Sequence, residues 1–364
     1  KLAEKNPDDY MVLLSGTPVP NKVSDVAMSL KLLYPQKFEA ISNKELVSQI
    51  INGDILDIRS LLTERMQMKE LRQNLDMPDL TEKVIESTFT PEEQAFYQVI
   101  QEEDELTASE KLQLLRQFTL NPEILALTPV VSKSKVERAG MEARYAMAQH
   151  DKVVMFVNGY ITDVIEGDKN IISEFNLPTD VEVAYITGST SQTERERLQR
   201  RFNDSATGKM FLVVSGQTAD VGIDLSGGEK VIMYNEPWSE FDKRQQIGRV
   251  YRPGLKNDLE VVVLVGRDSI ESGIHSYIRT KYIAVQKLLK GVTISEIEKT
   301  LARRTYDESG NYTVDPFVIS LEEGDSANGY FNAILDPGKA YVGGYEFQTI
   351  APTTIQIDRA RETA

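Results

Sequence analysis

Short apolar runs recur along the chain at two different periods, and the change of period divides it into regions. Met11 to Leu14 is a continuous apolar run ending in Ser15-Gly16-Thr17-Pro18, the pattern of a buried strand that gives way to turn residues. From about Lys22 to Leu127 the spacing turns helical. Leu30, Leu32 and Leu33 recur on helical steps, as do Leu112, Leu114 and Leu115. Thr90-Pro91-Glu92-Glu93 carries a capping box with proline at the first helical position, and Phe96, Tyr97 and Ile100 continue the apolar face. This stretch predicts an α-helical arm.

Beyond Lys133 the rhythm becomes strand, helix, strand. Val153 to Val157, Val181 to Ile186, Phe211 to Val214, Val231 to Tyr234 and Val261 to Val265 are nearly continuous in apolar residues, as strands buried on both faces are. Helices are predicted between them over Ile161 to Phe175, from the capping box Ser191-Gln192-Thr193-Glu194 to Asn203, and over Phe241 to Val250, where Arg252-Pro253-Gly254 supplies the stop. A long helix is predicted over Ser269 to Leu289, and another from Thr293 to about Arg303. The division that follows is a strand remnant at 1–21, a helical arm and linker at 22–132, a doubly wound α/β lobe with a parallel sheet at 133–304, and a β-rich or irregular tail at 305–364 rich in Gly, Pro, Thr and Tyr.

Composition narrows the chemistry. With 364 residues, 41% of them hydrophobic, the chain can bury a full α/β core and a second, smaller unit. Cysteine is absent and His150 and His275 are the only histidines, which excludes a Cys/His zinc site and a disulfide framework. No metal site is expected. No apolar run reaches the length of a membrane span and the first ten residues are charged, so the expectation is a cytoplasmic protein, nucleoid-associated or nuclear, with no membrane partner. Lys1 has no preceding methionine and a buried strand follows within a few residues, which predicts a piece of a longer protein. A net charge of -15 opposes a uniformly basic, phosphate-coating surface, yet it leaves room for a local track of basic and hydroxyl side chains.

Three segments carry candidate chemistry. Gln245 to Gly254 closes a helix with Arg249 and Arg252 at near-helical spacing, and arginine forks suit the oxygens of a transferring phosphoryl group. The simpler alternative is a surface helix with salt bridges. Val213 to Leu225 is a buried strand breaking into glycines, hydroxyls and Asp224, suited to close backbone approach and equally to an ordinary α/β loop. Tyr185 to Ser191 runs from a strand through Thr187 and Gly188 into a helix N-terminus able to receive a phosphate. The arginines at 195, 197, 200 and 201 on that helix fit a solvated face as well as they fit nucleic acid.

Taken in order, Leu14 to Asn21, Val153 to Val157, Thr187 to Thr190, Gly222-Ile223-Asp224-Leu225 and Gln245 to Arg252 resemble motifs III to VI of superfamily-2 helicases. Three further stretches look like Swi/Snf-type double-stranded DNA translocases: Leu61 to Ile100, Leu114-Leu115-Arg116-Gln117 with Asn121-Pro122, and Met233 to Trp238. The resemblance covers about residues 11–290 and implies a RecA-like helicase C-terminal lobe. It implies that Arg252, Arg249 and Gln245 act on ATP, with Arg252 the preferred finger. Gly222 and Asp224 would join the nucleotide cleft to the DNA track, and Ser15, Gly16 and Thr17 would couple two lobes. Thr187, Gly188, Ser215 and Trp238 would lie along duplex DNA, although packing explains a lone Trp about as well.

Some features depart from that family. Asp224 stands where asparagine is usual, and Val250-Tyr251 where Ala-His is usual. No Gly-x-x-x-x-Gly-Lys-Ser/Thr loop is present, since Gly208-Lys209 is followed by Met210, and no strand ends in an Asp-Glu pair. The resemblance therefore assigns the phosphate loop and the Mg2+-binding acid to an N-terminal RecA-like lobe outside these residues, leaving this chain inactive by itself. Two other readings remain open: a helicase acting on RNA or single-stranded DNA, and a non-catalytic module that binds nucleic acid or a partner. A Ser-His-Asp hydrolase lacks its nucleophile elbow, and Asp307 to Asn311 has the wrong spacing for a calcium loop.

Overall fold

The computed structural model describes residues 26–51, 58–65, 77–125, 132–159, 162–166, 170–204, 206–219, 222–275, 278, 304–306 and 312–314. They belong to two compact units, one holding the described residues up to 65 and the other those from 77 onward. Ser15, Gly16 and Thr17, which the resemblance predicts to couple two lobes, the end of the helix predicted over Ser269 to Leu289, and the helix predicted from Thr293 lie outside the described residues.

The first unit consists of helices α1 (Val26–Leu33), α2 (Pro35–Phe38), α3 (Asn43–Ile51) and α4 (Ile58–Arg65). Their apolar faces meet at Val26, Leu30, Phe38, Leu46 and Leu62. The Tyr34 hydroxyl ties α4 to this core, donating to Leu61 O at 2.7 Å and lying 2.8 Å from Glu64 Oε2.

In the second unit the strands are β1 (Leu80–Ser87), β2 (Lys152–Val157), β3 (Glu182–Ile186), β4 (Met210–Ser215), β5 (Lys230–Met233), β6 (Leu259–Gly266), β7 (Arg304–Tyr306) and β8 (Tyr312–Val314). They form one sheet in the order β3-β4-β2-β5-β6-β1-β7-β8, parallel throughout except for the antiparallel β7-β8 pair. Strand periodicity builds a core on each face. Val153, Met155, Val157, Phe211, Val213 and Ile232 point into one, and Val154, Phe156, Leu212, Val214, Val231 and Met233 into the other. Helix α7 (Ser134–Gln149) packs on the first face; α8 (Gln192–Asn203) brings Leu198 and Phe202, and α10 (Glu240–Ile247), which follows the short α9 (Gly216–Ala219), brings Ile247, to the second. This is the doubly wound, RecA-like parallel sheet that the sequence predicts.

The helical arm needs correction. Helices α5 (Pro91–Glu102) and α6 (Ala108–Leu120) form as expected, the first with both arms of its Thr90–Glu93 capping box. Between Lys22 and Leu127, however, β1 interrupts the helical pattern and lies between β6 and β7 in the sheet. Its charges mask the strand signal, and each finds a partner on a neighbouring element: Glu82 with Lys243, Lys83 with Glu260, and Glu86 with Arg267. Helices α5 and α6 pack Phe96, Leu112 and Phe118 with Ile270 and Ile274 in one core, so they are part of this unit and not a detached arm. The sheet also runs past residue 304 through β7 and β8, which makes the start of the predicted tail β structure continuous with the lobe.

Two local readings also change. The segment predicted as a helix over Ile161 to Phe175 contains two single turns, Thr162–Glu166 and Ile171–Phe175, the second capped by the Asn170 side chain accepting from Ile172 N. Its apolar positions Val164, Ile165, Ile171, Ile172 and Phe175 are buried without needing a continuous helix. Ser191 caps α8 by accepting from Glu194 N, but the Glu194 carboxylate turns to Arg197 at 2.6 and 2.7 Å and leaves the capping box half formed.

Candidate functional site

In the sheet, β2 lies between β4 and β5. From β2 the chain passes to the outer strand β3, returns to β4, then crosses β2 to reach β5. The carboxyl ends of β2, β4 and β5 therefore flank the topological switch point, where doubly wound sheets open their ligand crevice. The residues just beyond these apolar strands are Asn158 after β2, Gly216 after β4, and, past Tyr234, Asn235-Glu236 after β5.

These residues form a buried network. Asn158 N donates to Asn235 Oδ1 at 2.9 Å, and Asn158 Nδ2 to Asn235 O at 2.8 Å; Asn235 Nδ2 donates to Asn158 O at 2.6 Å. Gln246 Nε2 reaches Asn158 Oδ1 at 2.7 Å from α10. Glycine is required at 216, where an added Cβ would overlap Asn158 Oδ1 and lie 2.7 Å from Gln246 Nε2. Lys243, fully buried, bridges Glu236 Oε1 at 2.5 Å and Glu82 Oε1 at 2.6 Å, and His275 Nδ1 meets Glu236 Oε2 at 2.5 Å. Arg116 Nη2 donates to Glu236 O at 3.3 Å and Asn158 O at 3.4 Å, while its guanidinium lies 4.4 Å from the centre of the Trp238 ring. Nearby, Lys135 pairs with Glu271; burial pushes the Lys135 ammonium below its usual range, and the Glu271 carboxylate opposes that shift.

A second group joins the two segments that the sequence singles out. Leu225 N donates to Arg249 O at 2.9 Å, and Arg252 Nη2 donates to Ile223 O at 3.3 Å. Arg252 Nε donates to Gly248 O at 2.9 Å, which turns Nη1 toward Asp224 Oδ1 at 3.8 Å. The loop bearing Asp224 is held from its other side by α8, where Gln199 Oε1 accepts from Asp224 N at 2.8 Å and Asn203 Nδ2 donates to Asp224 O at 3.0 Å. An open cleft of ≈ 470 Å³ lies there, lined by Glu196, Gln199, Arg200, Asn203, Asp204 and Asp224. Gly222 has φ 43°, a left-handed conformation that only glycine adopts without strain.

The structure thus brings Gly222 and Asp224 beside Arg249 and Arg252. Arg249 and Gln245 are half-buried, and it is Gln246, one helical step round from Gln245, whose side chain enters the buried network. Thr187 is buried, and its Oγ1 shares a hydrogen bond with Ser189 Oγ at 2.8 Å, so the exposed members of that turn are Gly188 and Ser189. Ser215 is also turned inward and shares a 2.7 Å hydrogen bond with Thr218 Oγ1. Trp238 is 37% exposed. No group of three or more His, Asp or Glu side chains suited to a metal ion occurs among the described residues. The sequence reading assigns no role to Asn158, Asn235, Gln246 or Lys243, although Asn235 and Gln246 lie within the segments Met233 to Trp238 and Gln245 to Gly254. Polar residues placed just after apolar strands are a legible signal for the first two, whereas Lys243 looks like any charge on an amphipathic helix.

Comparisons with known proteins agree along the chain. A family model described as the SNF2-related domain matches residues 3–130, and the helicase conserved C-terminal domain matches residues 137–254. A third model, a domain of unknown function, matches residues 258–364. Chromatin remodeling factor mit1 of Schizosaccharomyces pombe is 23% identical over 86% of this chain and 25% of its own length. SNF2 domain-containing protein CLASSY 3 of Arabidopsis thaliana is 24% identical over 71% of this chain and 21% of its own. The chain therefore spans a quarter or less of the length of these relatives. The crystal structure of the C-terminal part of the Fun30 ATPase domain aligns with 58% of this chain and 97% of that one, with a TM-score of 0.46 and 14% identity.

Proposed function

Because this chain belongs to the SNF2-type family of superfamily-2 helicase-like proteins, we propose that it is the C-terminal motor half of an ATP-dependent translocase on double-stranded DNA. The observation that carries this reading is the Arg252 fork. Two main-chain carbonyls, Gly248 O and Ile223 O, hold its Nε and Nη2, and the remaining nitrogen looks toward Asp224 across 3.8 Å. An arginine so anchored needs little reorganisation to meet a phosphoryl oxygen, and its partly exposed contact with Asp224 is weak enough to be exchanged for one.

In this reading Arg252 and Arg249 stabilise charge on the transferring phosphoryl group, while Gln245, Gly222 and Asp224 border the nucleotide. The residues that cradle the phosphates and hold Mg2+ come from a first RecA-like lobe. Gly188, Ser189 and Trp238 lie along the DNA, and Thr187 and Ser215 shape their turns from within. The loop from Gly222 to Leu225 connects the two regions, since α8 and Arg249 both hold its backbone.

ATPase activity of the intact protein tests the reading, measured with and without duplex DNA, single-stranded DNA and RNA, beside the same assay on this chain. Duplex-stimulated turnover is expected in the intact protein and none in the chain. Arg252→Ala in the intact protein is expected to lower turnover on the order of a thousandfold or more with duplex binding retained. Unchanged turnover in that variant removes the finger assignment, and stimulation by RNA or single strands alone replaces duplex DNA as the track. No nucleotide-dependent turnover in the intact protein leaves a non-catalytic binding module.

A further inference from the structure

Trp238 stands on a rigid platform. It follows β5 in a loop whose Asn235 is locked to Asn158 by three hydrogen bonds, and whose Glu236 is held by Lys243 and His275. On its other side Ser239 caps α10 by accepting from Asp242 N at 3.1 Å. The indole is nevertheless 37% exposed, so locking the backbone leaves its two side-chain torsions to be set by something else. Arg116, 5% exposed and drawn from α6 far back in the chain, supplies that constraint. Its guanidinium lies 4.4 Å from the ring centre, and its Nη2 is anchored on Glu236 O and Asn158 O.

We propose that Arg116 is a positioning residue that fixes Trp238 as a preorganised aromatic contact for duplex DNA. The proposal rests on the reading of Trp238 as a nucleic-acid contact and adds the residue that holds it ready. A planar cation stacked under a ring is attracted by the ring's negative face, and it does so more strongly where water is excluded, as it is around the buried Arg116. The fork matters as well as the charge, because one guanidinium bonds two carbonyls and stacks at the same time, which an ammonium cannot do. An indole already held in one rotamer loses little freedom when DNA closes over its exposed side, so Arg116 contributes to affinity without touching the DNA.

Trp238 is the only tryptophan in the chain, so the emission and anisotropy of the protein report on this ring alone. In the full chain, Arg116→Lys is expected to lower the tryptophan anisotropy and shift emission to the red. It is also expected to weaken binding of a short fluorescein-labelled duplex about tenfold at fixed salt. Added to Trp238→Ala, it is expected to weaken duplex binding no further. Equal weakening in the two backgrounds overturns the proposal, because Arg116 then acts apart from the ring. Unchanged anisotropy overturns it too. Should Arg116→Lys fail to fold, replacing Trp238 biosynthetically with fluorinated tryptophans weakens the cation contact and leaves Arg116 intact; anisotropy that does not fall with added fluorine overturns the proposal. If Trp238→Ala alone leaves duplex binding unchanged, the nucleic-acid reading of Trp238 falls, while the anisotropy of Arg116→Lys still reports whether Arg116 orders the ring.

Discussion

Glu260 sits between two ammonium groups, with Lys230 Nζ 2.6 Å from Oε1 and Lys83 on Oε2. Burial alone raises its carboxyl, but the hydrogen bonds from Lys230 and Lys83 outweigh that and hold it below the usual carboxylate range. A carboxyl whose folded value is depressed contributes stability that is present above its ordinary value of 4.5 and is lost as pH falls through the lowered folded value. The urea midpoint of the wild type is therefore expected to drop more steeply than that of Glu260→Gln between about pH 5 and pH 3. Parallel curves would show that the ion pairs contribute no linkage. At Gly216 the constraint is steric. An alanine Cβ overlaps Asn158 Oδ1, which is already fixed by Gln246, so Gly216→Ala is expected to cost roughly 1–3 kcal/mol, read from urea denaturation. At this scale the sequence was most informative where a residue type has one conformational or chemical use, as with glycine or the arginine fork. It was least informative at Lys243 and Gln246, whose partners are distant in the chain.

The Thr90 cap was legible because capping is local, and the structure adds a second box at Thr107. Thr90 and Thr107 each accept from the backbone of the third helical residue, and Glu93 and Glu110 reach back to complete the box. The two caps differ in surroundings, since Glu93 also accepts from Ser134 N at 2.8 Å while the Thr107 cap is exposed. Thr107→Ala is therefore expected to cost about 1 kcal/mol of stability, the loss of a cap and nothing more. A loss of several kcal/mol in thermal or urea unfolding would show that α6 depends on this cap far more than its exposure suggests. β1 was hidden for the opposite reason. Its charges fit a solvated helix, and only the Glu260 carboxylate of β6 and the Lys243 ammonium of α10 let them sit in an inner strand of the sheet. The turns replacing the helix predicted over Ile161 to Phe175 make the same point, because apolar residues at 164, 165, 171, 172 and 175 fill the core in either conformation.

At the scale of the molecule, the sheet crosses the boundary that the change in hydrophobic period suggests at residue 133. β1 pairs along its full length with β6, and α5 and α6 cover a core that includes Ile270 and Ile274. A fragment beginning at residue 133 is expected to expose the β6 edge and that core, and to unfold without a cooperative transition. One beginning at residue 77 is expected to retain one cooperative transition in circular dichroism. Equal cooperativity in the two would show that β1 and the helices after it are accessory to the lobe. The edge network has the same dependence, because Arg116 and Glu82 both precede residue 133 and both enter it.

By itself the sequence determined the α/β lobe, five of its strands to within a residue or two, the α5 cap and the arginine-bearing segment, because each is written in local period, turn chemistry or side-chain type. It also carried the ordered motifs on which the family resemblance rests. Only the tertiary structure decided that Leu80–Ser87 is a sheet strand, that Thr187 and Ser215 turn inward, and that Arg116 lies under Trp238. Those outcomes depend on which charges and rings meet across long stretches of chain, and a linear pattern does not contain that pairing.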